Sequence, residues 1–439
     1  MRGRGRRAAD AGGGIGTGWV ALWTVVFAVA YGTNVPTPLL LHYRVTLGFS
    51  PTALTTAFGV YAAGLVPALL LAGPLSDTIG RRRVVVPFVA LALVTTLAFL
   101  AVPAAPWVLF AGRFLQGAVS GVVFSVGTAW LGELMAATGD GGARAARLTA
   151  VALGGGWALG PLVSGLLGQW AAAPAVLSYL VHAGLMLPAL ALLPRVPETL
   201  PPERRRSGGP LVNLGVPHGS GRAFGLVVVP IAIGVFAFAA TAVNVLPLEL
   251  EPVMPGVGVA VTGVVAGLTM GTGVLVQPMV RRLGTTWAGA IALALGAAGV
   301  ALGLLADLTG AWPLVVPVSV LLGLAYGICL ATGLTLIGML ADPAARGALT
   351  GTFYACSYLG FFVPLLLAAV GGGRSFVPGL TALAVVSALV AAWLASPPAR
   401  ALVTRQPSPG RTPPAPTPPG PPAPRGSDVP GPAAPPPSV

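Results

Sequence analysis

The chain has 439 residues, 55% of them apolar and only 8% charged, with a mean hydropathy of +0.87. A soluble globular domain carries roughly 25% charged residues, so most of this chain cannot face water. Its formal charge of +13 comes from 24 Arg and no Lys, but these are scattered between apolar runs, which argues against a nucleic-acid partner.

In chain order, an Arg-rich tail over residues 1–17 comes first. Twelve apolar runs follow, each close to the roughly 20 residues that cross a bilayer. They cover 18–41, 52–74, 84–102, 107–133, 148–170, 177–194, 223–246, 259–279, 286–306, 313–340, 347–370 and 376–395. Their length and their lack of period-2 alternation predict helices, not barrel strands. The first run resembles a secretory signal up to Ala30, but it continues to Leu41, which predicts an uncleaved first span. The polar segment 195-RVPETLPPERRRSGGPLVNLGVPHGSGR-222 divides six runs from six. After the last run, residues 397–439 hold 17 of the 44 Pro and are expected to be disordered.

The expectation is an all-α integral membrane protein of twelve transmembrane helices. A cytoplasmic tail (1–17) leads into a six-helix bundle (18–194). A cytoplasmic linker (195–222), a second six-helix bundle (223–396) and a Pro-rich cytoplasmic tail (397–439) follow. With the N-terminus inside, 21 arginines fall on the cytoplasmic side. Only Arg44 and Arg374 fall outside, and Arg113 lies within a span. That asymmetry predicts cytoplasmic termini and a multi-pass protein of the cell membrane. Cys329 and Cys356 lie in apolar runs and read as packing residues. No metal-ligand spacing, nucleotide loop or nucleophile–base pair is present in the sequence, so no metal, cofactor or enzymatic activity is expected.

The two halves echo each other at an offset of about 200–210 residues. The stretch 34-NVPTPLL-40 answers to 244-NVLPLEL-250, and 73-GPLSDTIG-80 to 277-QPMVRRLG-284. Likewise 117-GAVSG-121 answers to 323-GLAYG-327, and 147-RLT-149 to 346-RGALT-350. A duplicated six-helix unit produces this pattern.

Between the second and third runs, 73-GPLSDTIGRRR-83 places four charges in eleven residues. Gly73 and Gly80 permit close approach and a tight turn. Asp77 is suited to accept hydrogen bonds from a neighbouring helix N-terminus. Arg81 and Arg82 are suited to bridge to Glu133 at the end of the fourth run. Such a cluster reads as a cytoplasmic gate that breaks when the halves rock; the plainer reading is an Arg cluster that only orients the chain. Gly73, Leu75, Asp77, Gly80, Arg81 and Arg82 match the loop signature Gly-x-Leu-x-Asp-x-x-Gly-Arg-Arg/Lys. With the six-plus-six pattern, residues 18–395 therefore resemble the major facilitator superfamily of secondary transporters.

Three further motifs add to the resemblance. In 113-RFLQGAVSG-121, Arg113, Gln116, Gly117, Ser120 and Gly121 share one helix face. An intramembrane charge is costly and usually functional, although a snorkelling Arg is the alternative. The resemblance links Arg113 and Gln116 to proton coupling. In 154-GGGWALGPLVSG-165, Gly160 and Pro161 interrupt the helix ladder. Gly156, Gly160, Pro161 and Gly165 resemble the antiporter branch, with Ser164 departing from it. In 31-YGTNVPTPLL-40, Pro36 and Pro38 are expected to break the first span. The resemblance places spans one, four, seven and ten around the cavity, so Phe27, Tyr31, Asn34, Thr241 and Asn244 are substrate-site candidates, with interhelical packing as the alternative. Tyr354, Tyr358, Phe361 and Phe362 read as packing. His182 is the one His in the sixth run and reads as a packing residue.

The implied function is a secondary transporter of a small organic molecule, coupled to protons, most consistent with export. Import or facilitated passage on the same fold is the alternative, and a non-transporting scaffold or sensor a third reading. No acid sits mid-span in the first half, which favours neutral or anionic compounds over cations and leaves the proton carrier unassigned. The expected partners are the small-molecule substrate, protons and the lipid bilayer, and the expected state is a monomer.

Overall fold

The computed structural model describes residues 2–137, 142–201, 203, 216–217, 219–254, 256–340, 346–373 and 375–404; the side chains of 2–17, 137, 142–143, 281 and 346–347 are not among those described. Among the described residues there is helix and turn but no strand. Twelve helices have the length and composition to cross a membrane. In chain order these spans are Gly18–Leu47, Pro51–Ile79, Arg81–Ala101, Trp107–Ala136, Arg144–Trp170 and Pro174–Arg195. The second half supplies Gly221–Val253, Gly258–Met279, Thr285–Thr309, Trp312–Leu340, Ala348–Val370 and Val377–Ala395. Several outrun their apolar stretches. The first continues through Arg44 to Leu47 and the seventh through Glu249 and Glu251 to Val253, because helical hydrogen bonding does not stop where hydropathy does.

Irregularities recur at matching places in the two halves. The first span breaks into Arg2–Thr33 and Pro36–Leu47, where Pro36 and Pro38 supply no N–H. At the matching place the seventh span widens into a π-helical turn, Thr241–Val245, followed by Pro247. Gly80 ends the second span at φ 104° and Gly284 lies between the eighth and ninth at φ 72°. Both are positive-φ conformations that a side chain strains.

Close contacts repeat too. A methyl on Gly117 or Gly121 would strike the backbone of the second span at Tyr61 and Leu65. A methyl on Gly323 or Gly327 would strike the eighth at Thr269 and Gly273. Gly160 sits on the first span at Tyr31, and Gly360 on the seventh at Ile233 and Ala237. The two six-helix bundles are related by this internal repeat. Between them, the fifth and eighth spans meet glycine to glycine: a methyl on Gly165 would lie 2.7 Å from Gly263 Cα. Pro161 sits inside a helix that remains continuous from Gly142 to Trp170. Ser164, the departure from the antiporter pattern, donates to the Val35 carbonyl at 2.7 Å, beside the break in the first span.

Two expected boundaries shift. The tail begins with an ordered helix, Pro397–Thr404, which buries Ala399 and Val403 and sets the Arg400 guanidinium 4.5 Å from the Trp287 ring. The expectation of a disordered stretch from 397 is therefore corrected for these eight residues; residues 405–439 lie outside those described. The start of the linker folds onto the first bundle: Val196 is buried and Trp130 Nε1 donates to the Pro197 carbonyl at 3.0 Å. Residues 202, 204–215 and 218 also lie outside the description.

Gly80→Ala and Gly284→Ala should each destabilise the protein by about 1–3 kcal/mol, the usual cost of a non-glycine residue in such a conformation. Melting in detergent measures this; unchanged melting in both variants would contradict it. A chain ending at Pro397 should melt several degrees below one ending at Thr404.

Candidate functional site

At the end of the second span, Arg81 gathers the charges. Its Nη1 donates to Asp77 Oδ1 at 2.7 Å and also to Ser76 Oγ, and its Nη2 donates to Glu133 Oε1 at 3.0 Å. The expected Arg81–Glu133 bridge is present. Three expectations change. Asp77 bonds to Arg81, one turn on, and the helix N-terminus of the third span is capped by Glu198. That carboxylate accepts from Arg81 N at 3.1 Å and Arg82 N at 3.0 Å, where no local side chain caps the helix. The Arg82 guanidinium has no ion pair among the described residues. A methyl on Gly73 would make only an ordinary van der Waals contact, with Ser125 Oγ at 3.7 Å; Gly80 alone of the pair is sterically required. Every described bond of the cluster joins spans two, three and four or residues 198–200, including Thr199 Oγ1 to Glu133 Oε2. None reaches the second half, so in this conformer the cluster staples the first bundle and does not itself clasp the two bundles together.

Six residues into the fourth span, Arg113 is 2% exposed and does not snorkel. Its Nη1 donates to the Thr33 carbonyl at 2.8 Å and to Gln116 Oε1 at 2.5 Å, and its Nε to the Ala57 carbonyl at 3.4 Å. The guanidinium carbon lies 4.5 Å from the Tyr61 ring centroid and 5.3 Å from that of Phe58. Gln116 Nε2 donates to the Gly32 carbonyl at 2.6 Å. Arg113 and Gln116 thus grip the carbonyls at the break in the first span. The guanidinium is met by two backbone carbonyls, one amide oxygen and two ring faces in place of a carboxylate, while its Nη2 has no hydrogen-bond partner. His182 is also bonded at both nitrogens. Nε2 donates to the Ala28 carbonyl at 3.1 Å, and Nδ1 lies 2.9 Å from Thr96 Oγ1.

A small cavity lies between the bundles at mid-membrane. Seven aromatic residues line it: Phe58, Tyr61, Phe124, Trp157, Phe236, Tyr358 and Phe361, together with Thr33, Asn34, Ala239, Ala240, Val243 and Met270. No charged side chain is among them. Phe236 stacks on both Tyr358 and Phe361 at 4.6 Å between centroids. The rings leave about 20 Å³, room for one water and not for an organic molecule. Of the five substrate candidates only Asn34 lines this space. Tyr31 packs against His182 and Gly160, and Phe27 stacks on Trp23 at 5.5 Å. Thr241 and Asn244 are buried in the π-helical turn, where Thr241 Oγ1 and Asn244 Nδ2 have no hydrogen-bond partner. Tyr358 and Phe361, expected to be packing residues, form the cavity wall. Helical position alone did not distinguish a ring that faces the partner bundle from one that faces its own. Arg113 stands behind Phe58 and Tyr61 and does not line the cavity.

Polar contacts between the bundles cluster at the opposite end from Arg81, the outer end on the orientation implied by the arginines. Arg44 Nη1 donates to the Leu248 carbonyl at 3.1 Å and lies 3.8 Å from Glu251 Oε2. Gln169 Nε2 donates to the Gly256 carbonyl at 2.8 Å, and its Oε1 accepts from Ala260 N at 3.3 Å. Sequence reading missed both residues, because their partners are mostly backbone atoms some 90–200 residues away.

Comparison with known proteins agrees with this geometry. A family model described as Major Facilitator Superfamily matches residues 22–365. The cephamycin export protein CmcT of Amycolatopsis lactamdurans is 32% identical over 259 residues, 54% of this chain and 51% of that protein. The multidrug resistance protein MdtL of Escherichia coli O157:H7 is 37% identical over 89 residues, 20% of this chain and 22% of its own. The match thus spans about half the length of the first relative and about a fifth of the second. Among solved structures, a mutant of the peptide transporter POT in complex with alafosfalin superposes with a TM-score of 0.71 at 16% identity, covering 88% of this chain and 96% of that one. The nucleoside transporter NupG gives 0.64 at 14%, covering 86% and 97%. At those identities the likeness concerns the fold alone. With its twelve membrane-crossing helices and a family match across most of its length, the chain is a multi-pass membrane protein that belongs to the Major Facilitator Superfamily.

Proposed function

We propose that this chain exports a small, neutral or anionic organic molecule carrying an aromatic or otherwise flat apolar face, by proton-coupled alternating access at the cell membrane. The observation that carries this reading is the composition of the cavity: seven aromatic side chains from both bundles, two small polar ones, and no acid. Rings of this kind grip flat apolar surfaces, and the cavity lining offers no counter-charge to an ion of either sign; the anionic part of the reading rests on the Arg113 guanidinium behind Phe58 and Tyr61. The export direction rests on the partial similarity to CmcT and MdtL, whose names describe export and drug resistance, and on the antiporter-like fifth span.

In this reading the closed cavity is one state of the cycle, and the stacked rings of Phe236, Tyr358 and Phe361 part to admit substrate. Arg113 acts at one remove. It ties the second and fourth spans to the broken first span, so that a change at the cavity wall is transmitted through Tyr61 and Thr33. Arg113 does not itself release a proton at physiological pH, and its part in coupling is to hold that break. Arg44 and Gln169 keep the outer ends together and let go when the outer side opens.

The decisive experiment uses purified protein in liposomes containing a pH dye. A proton gradient is imposed, and neutral, anionic and cationic compounds are added in turn. Proton movement triggered by neutral or anionic aromatic compounds is expected. Proton movement with cations alone would overturn the substrate class, and labelled compound crossing without a proton signal would make the protein a facilitator. Phe361→Ala and Tyr358→Ala should raise KM about tenfold with a smaller change in kcat, as loss of contacts made equally in ground and transition states requires. Arg113→Lys should fail to restore the transport lost in Arg113→Gln, since an ammonium does not reproduce the planar guanidinium fork. Arg44→Ala combined with Gln169→Ala should raise the outward-open population, read as a longer distance between spin labels on the outer ends of the two bundles. An unchanged distance distribution would remove the latch from the mechanism.

A further inference from the structure

A groove of about 490 Å³ lies away from the bundle interface, where the third span begins and the sixth ends. Its walls are Arg82, Arg83, Val86, Pro87, Pro194 and Glu198. Arg82 and Arg83 are exposed, and neither guanidinium has an ion pair or hydrogen bond among the described residues. The acids nearby are already engaged. Glu198 Oε1 accepts from Arg81 N and Leu200 N, and its Oε2 from Arg82 N. Asp77 and Glu133 are held on Arg81. Two guanidiniums without ion pairs therefore face a groove whose remaining walls are a Val, two Pro rings and Glu198, whose carboxylate oxygens are taken up by the backbone N–H groups of Arg81, Arg82 and Leu200.

The position of the groove says what kind of anion fits. Both spans continue from it with exposed apolar side chains, Val94 and Leu97 on the third and Leu187 and Leu192 on the sixth. A soluble anion gains nothing from such a surface. An amphiphile gains on both counts, its phosphate meeting the arginines and its acyl chain lying against the apolar faces. The groove also sits on the arginine-rich side of the molecule, the side on which anionic lipids attract basic residues.

We propose that this groove binds the headgroup of an anionic phospholipid, with Arg82 and Arg83 on its phosphate. The site is independent of the direction and coupling of transport. It also explains why three arginines follow Gly80: Arg81 serves the bundle, and the other two serve the membrane.

The test is native mass spectrometry of the full chain in detergent, titrated with phosphatidylglycerol or phosphatidylcholine. Wild type should retain phosphatidylglycerol preferentially. Arg82→Gln with Arg83→Gln should weaken that retention, by about fivefold per arginine. Arg82→Lys with Arg83→Lys should keep most of it, which guards against misfolding as the cause. The control, Arg147→Gln with Arg282→Gln, removes two exposed arginines elsewhere on the same face and should change little. Equal loss in the control would reduce the effect to general surface charge and overturn the site. So would undiminished retention in Arg82→Gln/Arg83→Gln, or displacement by glycerol phosphate at the same concentration as the lipid.

Discussion

Backbone-to-backbone approach at glycine is the constraint on which the rest of this structure depends. Lipid tails are as apolar as leucine, so burying a leucine between two spans gains little over leaving it in the bilayer. What remains is contact at short range, and glycine shortens the range most. Gly117 and Gly121 let the fourth span lie on the backbone of the second, and Gly323 and Gly327 do the same for the tenth on the eighth. Gly156 and Gly160 bring the fifth span onto the first, and Gly360 the eleventh onto the seventh. These contacts fix each bundle as a unit. The bundles then meet one another through Gly165 and Gly263 on one side and through aromatic rings around the cavity on the other. A rigid glycine contact beside a layer of rotatable rings is an arrangement that can rock without unpacking either bundle.

Against that apolar background each buried or half-buried charge is handled differently. Arg81, at the water boundary, is met by carboxylates. Arg113, far from water, is met by carbonyl oxygens, one amide and two aromatic faces. A charged group at the centre of a span costs roughly 2.5–3.5 kcal/mol on insertion scales. The broken turn at residues 34–35 offsets part of that by presenting the Thr33 carbonyl, since Thr37 N bonds to Asn34 instead. The Pro pair and the Arg are therefore coupled: the break frees the Thr33 carbonyl and Arg113 satisfies it, while the Gly32 carbonyl is met by Gln116 and Val35 N.

The spans, their order and the internal repeat were legible in the sequence because hydropathy and glycine spacing are local properties. The Arg81–Glu133 bridge was legible because two charges on one face of a charge-poor chain have few other partners. The cavity was only partly legible. Its wall is chosen by which face of a span meets the other bundle, and that is decided by contacts such as Gly360 on Ala237 that no single span encodes. Hence Asn34 on the first span lines the cavity while Phe27 and Tyr31 do not, and Tyr358 and Phe361 on the eleventh, read as packing residues, form part of its wall. Glu198 escaped notice because a residue in a polar linker carries no periodicity, and its role as a cap is set by where the chain returns after the sixth span.

The two halves have kept their geometry and divided their chemistry. At the repeat position of Arg113 the second half has Ser319, and at that of Ser120 it has Tyr326. Both glycines of the motif remain, along with their contacts to the neighbouring span. The polar network that grips the broken first span is thus confined to the first bundle. The second bundle contributes Phe236, Met270, Tyr358 and Phe361 to the cavity wall. In the proposed cycle one such network serves both bundles, because each rocks as a unit, and the second bundle is left to contribute rings to the cavity wall. The seventh span departs from α-helical geometry over Thr241–Val245, at the place where the first breaks, but no arginine reaches it among the described residues.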